Sequence, residues 1–199
     1  MLRRPSDDFY RAILLFALSM LVTVATFVQQ IDATAARAGL ERGKAEIQTQ
    51  TGAVDFNFTD FDGKARKLSE FRGKVVLLDF WATWCSPCIG DFPHLKELYA
   101  KHKSGGFEII GLDCETLGDD AADADTIKAG FEQAKSIITR FGTSWTMAEP
   151  RSAVTVAGKH FQVESLPTKI LIDRQGKIVK TVKSRAELEE SLVQSLKQQ

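Results

Sequence analysis

The sequence predicts an α/β protein with a mixed central sheet and helices on both faces. Three observations carry this. Residues 75–81, VVLLDFW, form an apolar, β-branched and aromatic run of the kind found in buried strands, followed at once by a helical segment. Residues 107–113, FEIIGLD, repeat that composition after the helix, so the two strands lie parallel through a right-handed crossover. Residues 169–173 and 177–182 then read as an antiparallel hairpin joined at Arg174-Gln175-Gly176, with a closing helix behind it.

Taken in order, the 199-residue chain suits one domain with an appendage: residues 1–31, residues 32–52 and residues 53–199. Arg3, Arg4 and Arg11 precede an uncharged apolar run over residues 12–28, near the lower length limit for a membrane-spanning helix. The basic flank keeps the N-terminus cytoplasmic and exports the rest. Residues 1–31 are therefore expected to be a membrane anchor, or alternatively a signal peptide cleaved at the small residues Ala33 and Ala35. Residues 32–52 shift to Ala, Thr, Gln and mixed charge and read as a linker. With 26 basic and 26 acidic residues, the chain has no net field to attract nucleic acid.

In the third part, Val54, Phe56 and Phe58 alternate with polar residues as a half-buried strand; after a turn at Asp62-Gly63, residues 66–68 return as the second strand of an N-terminal hairpin. The helix after residue 88 is predicted to run to about Lys103, with Leu95, Leu98 and Phe92 inward and a kink at Pro93. Ile127, Phe131, Ala134, Ile138 and Phe141 define the inner face of an amphipathic helix that Gly142 ends. Residues 143–161 are ambiguous, and residues 153–157 fit helix or strand. Ser184 and Glu187 form a capping box for the last helix, whose inner face is Leu188, Leu192 and Leu196.

The chemistry sits between the first long strand and its helix, where Cys85 and Cys88 flank Ser86 and Pro87. A helix N-terminus offers unpartnered N–H groups and partial positive charge, both of which favour a thiolate. Cys85 is thus the candidate nucleophile toward a disulfide, and Cys88, one turn on, resolves the mixed disulfide. Asp79 is an oddity, a carboxylate inside an apolar strand whose pKa burial should raise. Asp91 lies one turn after Cys88 and can share its face, or can simply be a first-turn acid favoured by the helix dipole. A CxxC can also be half of a zinc site, but Cys114, His94, His102 and His160 form no paired motif. Cys114 is left over; it is either an inert buried thiol or one able to pair between molecules.

The segment WATWCSPC resembles the active site of the thioredoxin superfamily, and within it the membrane-anchored extracytoplasmic reductases of the TlpA, ResA and cytochrome c maturation (CcmG) group. LSEFRGKVVLLDFWATWC from Leu68, DFPHL from Asp91 and SLPTKILIDRQGKI from Ser165 resemble the same group. The peroxidase spacing Pro-x-x-x-Thr/Ser-x-x-Cys that peroxiredoxins show is absent before both cysteines. The resemblance implies the thioredoxin fold for residues 53–199. It also implies a proton-relaying role for Asp79, as against a satisfied structural carboxylate, and a dithiol-tuning role for Asp91. Pro167 would be a cis proline facing the dithiol, with the backbone of Leu166 pairing strand-like with substrate beside Trp84 and Pro87.

The expected function is an extracytoplasmic, membrane-tethered thiol–disulfide oxidoreductase that reduces protein disulfides, including those of apocytochrome c. It needs no bound cofactor and is recharged by a membrane dithiol donor. The alternatives are a disulfide donor of the same fold or a CxxC module for a soft metal ion.

Overall fold

The computed structural model describes residues 53–119 and 121–198, all within one compact unit spanning Thr49–Gln199. The apolar N-terminal run on which the membrane expectation rests lies outside the described residues, as does the linker. Among the described residues no helix is long and apolar enough to cross a membrane.

The core is a five-stranded mixed sheet in the order β5-β4-β3-β6-β7. β3 (Val75–Trp81) and β4 (Phe107–Asp113) are buried at every residue, as expected for strands covered on both faces. β4 runs parallel to β3, and β5 (Thr146–Ala148) parallel to β4. β6 (Thr168–Ile172) and β7 (Ile178–Val182) complete the other side antiparallel. Gly176, at φ 85°, supplies the left-handed residue of the β6–β7 turn. A separate hairpin, β1 (Asn57–Thr59) with β2 (Ala65–Lys67), reaches the sheet through an Asp60–Ala148 bridge. Leu68 begins a 3₁₀ turn rather than extending β2, and its side chain is fully buried.

The sheet has a different cover on each face. Val75, Leu77 and Trp81 point toward α1 (Ser86–His102), α2 (Ala124–Phe141) and α4 (Arg185–Lys197), in a cluster with Phe92, Leu95 and Leu188. Val76, Leu78 and Phe80 point the other way, toward the hairpin and α3 (Pro150–Val156). α1 continues through Pro93 as one element and ends in a 3₁₀ turn at Lys103–Gly105.

Several expectations need correction. The most buried stripe of α2 is Gly130, Ala134 and Ile137, with Ile127, Phe131, Ile138 and Phe141 only partly covered. Small residues let the helix lie close to its neighbours, and the large side chains then splay to the flanks of the contact. Gly142 does end this helix, at φ 60°. The ambiguous residues resolve into the edge strand β5, then α3, then a π-helical turn over Ala157–Phe161 that closes at Gln162 with φ 51°. Trp145 and Met147 are core residues. The capping box of α4 is half formed. Ser184 Oγ accepts from the Glu187 amide at 3.2 Å, but Glu187 accepts from the amide of Lys183, one residue earlier than the box requires.

Candidate active site

The dithiol sits where β3 hands over to α1. Cys85 is the N-cap of α1, and its Sγ accepts a hydrogen bond from the Cys88 amide at 3.3 Å. One of the helix's orphan N–H groups is therefore aimed at the sulfur, the arrangement that favours negative charge there. Pro87 occupies the first turn, where its missing N–H leaves no intrahelical bond unmade. The two cysteines are joined as a disulfide with Cα atoms 5.3 Å apart. Cys88 is fully buried, whereas Cys85 keeps 4% of its surface and is bordered by exposed Trp84, Ser86 and Pro87.

The loop carrying Trp84 is held from β4 and α2. Just past β4, Glu115 accepts from the Thr83 amide at 2.9 Å and the Thr83 hydroxyl at 2.7 Å, and its carbonyl accepts from the Trp84 indole at 2.8 Å. Room for the Glu115 side chain comes from Gly130 of α2, where a Cβ would lie 2.4 Å from Glu115 Cγ. Trp84 is thus oriented while 55% of its surface stays exposed. The Leu166–Pro167 peptide is cis; Pro167 is exposed, and half-buried Leu166 packs against the cluster that holds Cys85 and Cys88.

A charged chain joins β3, β6 and α1. Asp79, 1% exposed, projects from the face of β3 that α1 covers, directly across the ladder from Lys169 of β6. Lys169 Nζ is 3.2 Å from Asp79 Oδ1 and 2.9 Å from Asp91 Oδ2. The approach to Asp79 is close in distance but poorly directed, so among the described residues neither Asp79 oxygen receives a well-formed hydrogen bond. Asp91 is also held by Arg185, whose Nε donates at 2.8 Å. Burial pushes the Asp79 pKa up against the pull of Lys169. For Asp91, partial burial pushes the same way but is outweighed by Lys169 and Arg185, which hold its carboxyl below the ordinary value. A cleft of about 330 Å³, lined by Asp91, His94, Pro167, Lys169, Lys183 and Arg185 among others, opens beside this chain.

Sequence reasoning missed Lys169, Arg185 and Glu115. Lys169 left a signal: one cation in TKILI and one anion in VVLLDFW, each inside a run otherwise buried, have to meet if both strands enter one sheet. Glu115 and Arg185 left none, because their roles depend on loop and helix placement. Cys114 lies on the other face, fully buried, its thiol pKa raised by burial and by the charges of Asp113 and Asp79. Asp113 is also fully buried. The Glu115 amide lies near it, yet among the described residues neither carboxylate oxygen has a well-formed hydrogen bond.

A mixed five-stranded sheet flanked by helices, with a CxxC pair at a helix N-terminus and a cis proline just ahead of β6, defines a thioredoxin-fold dithiol protein. Residues 49–181 match the AhpC/TSA family. The thiol-disulfide oxidoreductase ResA of Bacillus thuringiensis subsp. konkukian is 36% identical over 143 residues, covering 70% of this chain and 74% of the relative. The crystal structure of the thioredoxin domain of a Bacteroides vulgatus thiol-disulfide oxidoreductase superposes with a TM-score of 0.59 at 26% identity, over 75% of this chain and 98% of that one. A Chlorobium tepidum structure named as a thiol:disulfide interchange protein DsbE gives 0.55 at 29% identity, over 73% and 95%. The chain belongs to the AhpC/TSA family and, within it, to the thiol-disulfide oxidoreductases. It is an enzyme of thiol–disulfide exchange.

Proposed function

We propose that this enzyme works outside the cytoplasm as a reductant of protein disulfides, tethered by its N-terminal segment and recharged by a membrane dithiol donor. The observation that carries the exchange mechanism is the Cys85 sulfur capping the helix and accepting the Cys88 amide. In the dithiol form Cys85, as thiolate, attacks one sulfur of a substrate disulfide; a mixed disulfide forms and the other substrate sulfur leaves as a thiolate. Cys88 passes its proton to Asp79 and attacks the Cys85 sulfur. The Cys85–Cys88 bond forms, the mixed disulfide breaks, and the second substrate sulfur leaves. The dithiol loses two electrons and the substrate gains two. Trp84, Pro87, Pro167 and the backbone of Leu166 form the docking rim for an extended substrate segment.

The reducing direction rests on the resemblance to extracytoplasmic reductases. Apocytochrome c, whose haem-attachment thiols must be kept reduced, is the substrate that resemblance points to.

Titration of the Cys85–Cys88 couple against thiol buffers, read by alkylation, tests the direction. A potential near about −270 mV or below is expected, and a value near about −120 mV would make the enzyme a disulfide donor instead. Cys88→Ser should trap mixed disulfides with partner proteins. A variant that trapped nothing and lost a bound soft metal would instead support the metal-binding alternative.

A further inference from the structure

Lys169 is a costly residue. It is only 8% exposed, on the second position of an interior strand, and an ammonium in such a place must repay its desolvation. It has two carboxylates with which to do so, and they come from different elements: Asp79 from β3 at 3.2 Å and Asp91 from α1 at 2.9 Å. Asp79 is sealed in the core, while Asp91 and Lys169 itself also line the cleft beside Pro167. One cation therefore joins an acid with no access to water to an acid that has it.

We infer that Lys169 is a positioning residue for the exchange reaction, a shared counter-ion that keeps buried Asp79 able to take the proton of Cys88 and couples it to cleft-facing Asp91. The inference rests on the reading of Asp79 as proton acceptor. An isolated carboxyl as buried as Asp79 within β3 would hold a proton through the neutral range and could accept no other. The charge of Lys169 opposes that. Asp91 and Arg185 then set how much of this charge Asp79 feels, since Asp91 draws on Lys169 and is itself drawn on by Arg185 at 2.7 Å. Among the described residues, the other ionisable groups lining the cleft are His94, which is 3.5 Å from Glu189, and Lys183. On the far face, Cys114 senses the charge of Asp79.

The test uses the full-length protein in detergent, reduced and then mixed with oxidised glutathione, with the exchange rate followed from pH 5 to 9 and thermal unfolding recorded for each variant. Lys169→Met is expected to move the acid limb of the rate profile at least one unit toward alkaline pH. At pH 6.5 this is about a tenfold loss, recovered at pH 9. Lys169→Arg should keep the wild-type profile, and Asp91→Asn should move the limb toward acid by releasing Lys169 to Asp79. In an Asp79→Asn background, Lys169→Met should produce no further shift. If Lys169→Met does not fold, Lys169→Gln takes its place with the same expected direction. A Lys169→Met profile that overlays wild type while Asp79→Asn shifts it would overturn this inference alone. A uniform loss at every pH would overturn it too, as the mark of a merely structural residue. A profile unmoved by Asp79→Asn would remove the role of Asp79, and the inference with it.

Discussion

At the residue scale, a further unusual group is Asp113, away from the chain that joins Asp79, Lys169 and Asp91. It is fully buried at the end of β4, where burial and the neighbouring charge of Glu115 push its pKa up to about 8. In the unfolded chain the same carboxyl ionises near the ordinary value of about 3.9. Because the folded value is the higher, the favourable contribution of the protonated acid is complete below about pH 4 and is lost as the pH rises toward 8. Asp113→Asn keeps the shape and cannot ionise. The variant should unfold at a higher temperature than wild type at pH 8, by an amount equivalent to roughly 1–3 kcal/mol, and at the same temperature at pH 4. Stability curves that ran parallel from pH 4 to 8 would mean that Asp113 titrates normally.

At the element scale, α2 does more than cover the sheet. Its Gly130 makes a gap through which Glu115 reaches Thr83, so a helix distant in sequence from the dithiol governs the loop that presents Trp84. Gly130→Ala should stabilise the helix itself by up to about 1 kcal/mol. It should also displace Glu115 and leave the buried Thr83 amide and hydroxyl unpartnered, at a cost of about 1–3 kcal/mol. The net expectation is lower stability and a slower exchange rate. A double-mutant cycle with Glu115→Ala should return the helix gain, and simple additivity would show that the two residues do not interact. The cap of α1 is a second case. Cys85 is both the N-cap of the helix and one half of the disulfide, so local structure and the redox couple rest on the same residue.

At the scale of the whole molecule, the central sheet was readable because its strands announce themselves. VVLLDFW and FEIIGLD are long apolar runs that fit few other environments, and CxxC marks the start of α1. Three-residue β5 was not readable, because so short a strand has no period of its own and forms only where β4 offers an edge. The true inner stripe of α2 was hidden because periodicity ranks residues by hydrophobicity, whereas close packing here selects Gly130 and Ala134 for size. The cysteines and both acids were found from local sequence; the charged bridge between the acids depends on a strand pairing across about ninety residues. The direction of exchange also has a global signature, because potential and fold stability are linked in one cycle. For a reductant, the disulfide form should melt above the dithiol form, and the opposite order would indicate a donor. Finally, the two margins of the sheet differ. The hairpin's bridge to Ala148 closes off β5, and β7 carries Lys180, itself paired to Glu187, within a strand flanked by Lys177 and Lys183. Neither margin invites a second copy to add itself as another strand. On the proposed docking at the stretch ahead of Pro167, a visiting polypeptide would pair away from both margins of the sheet.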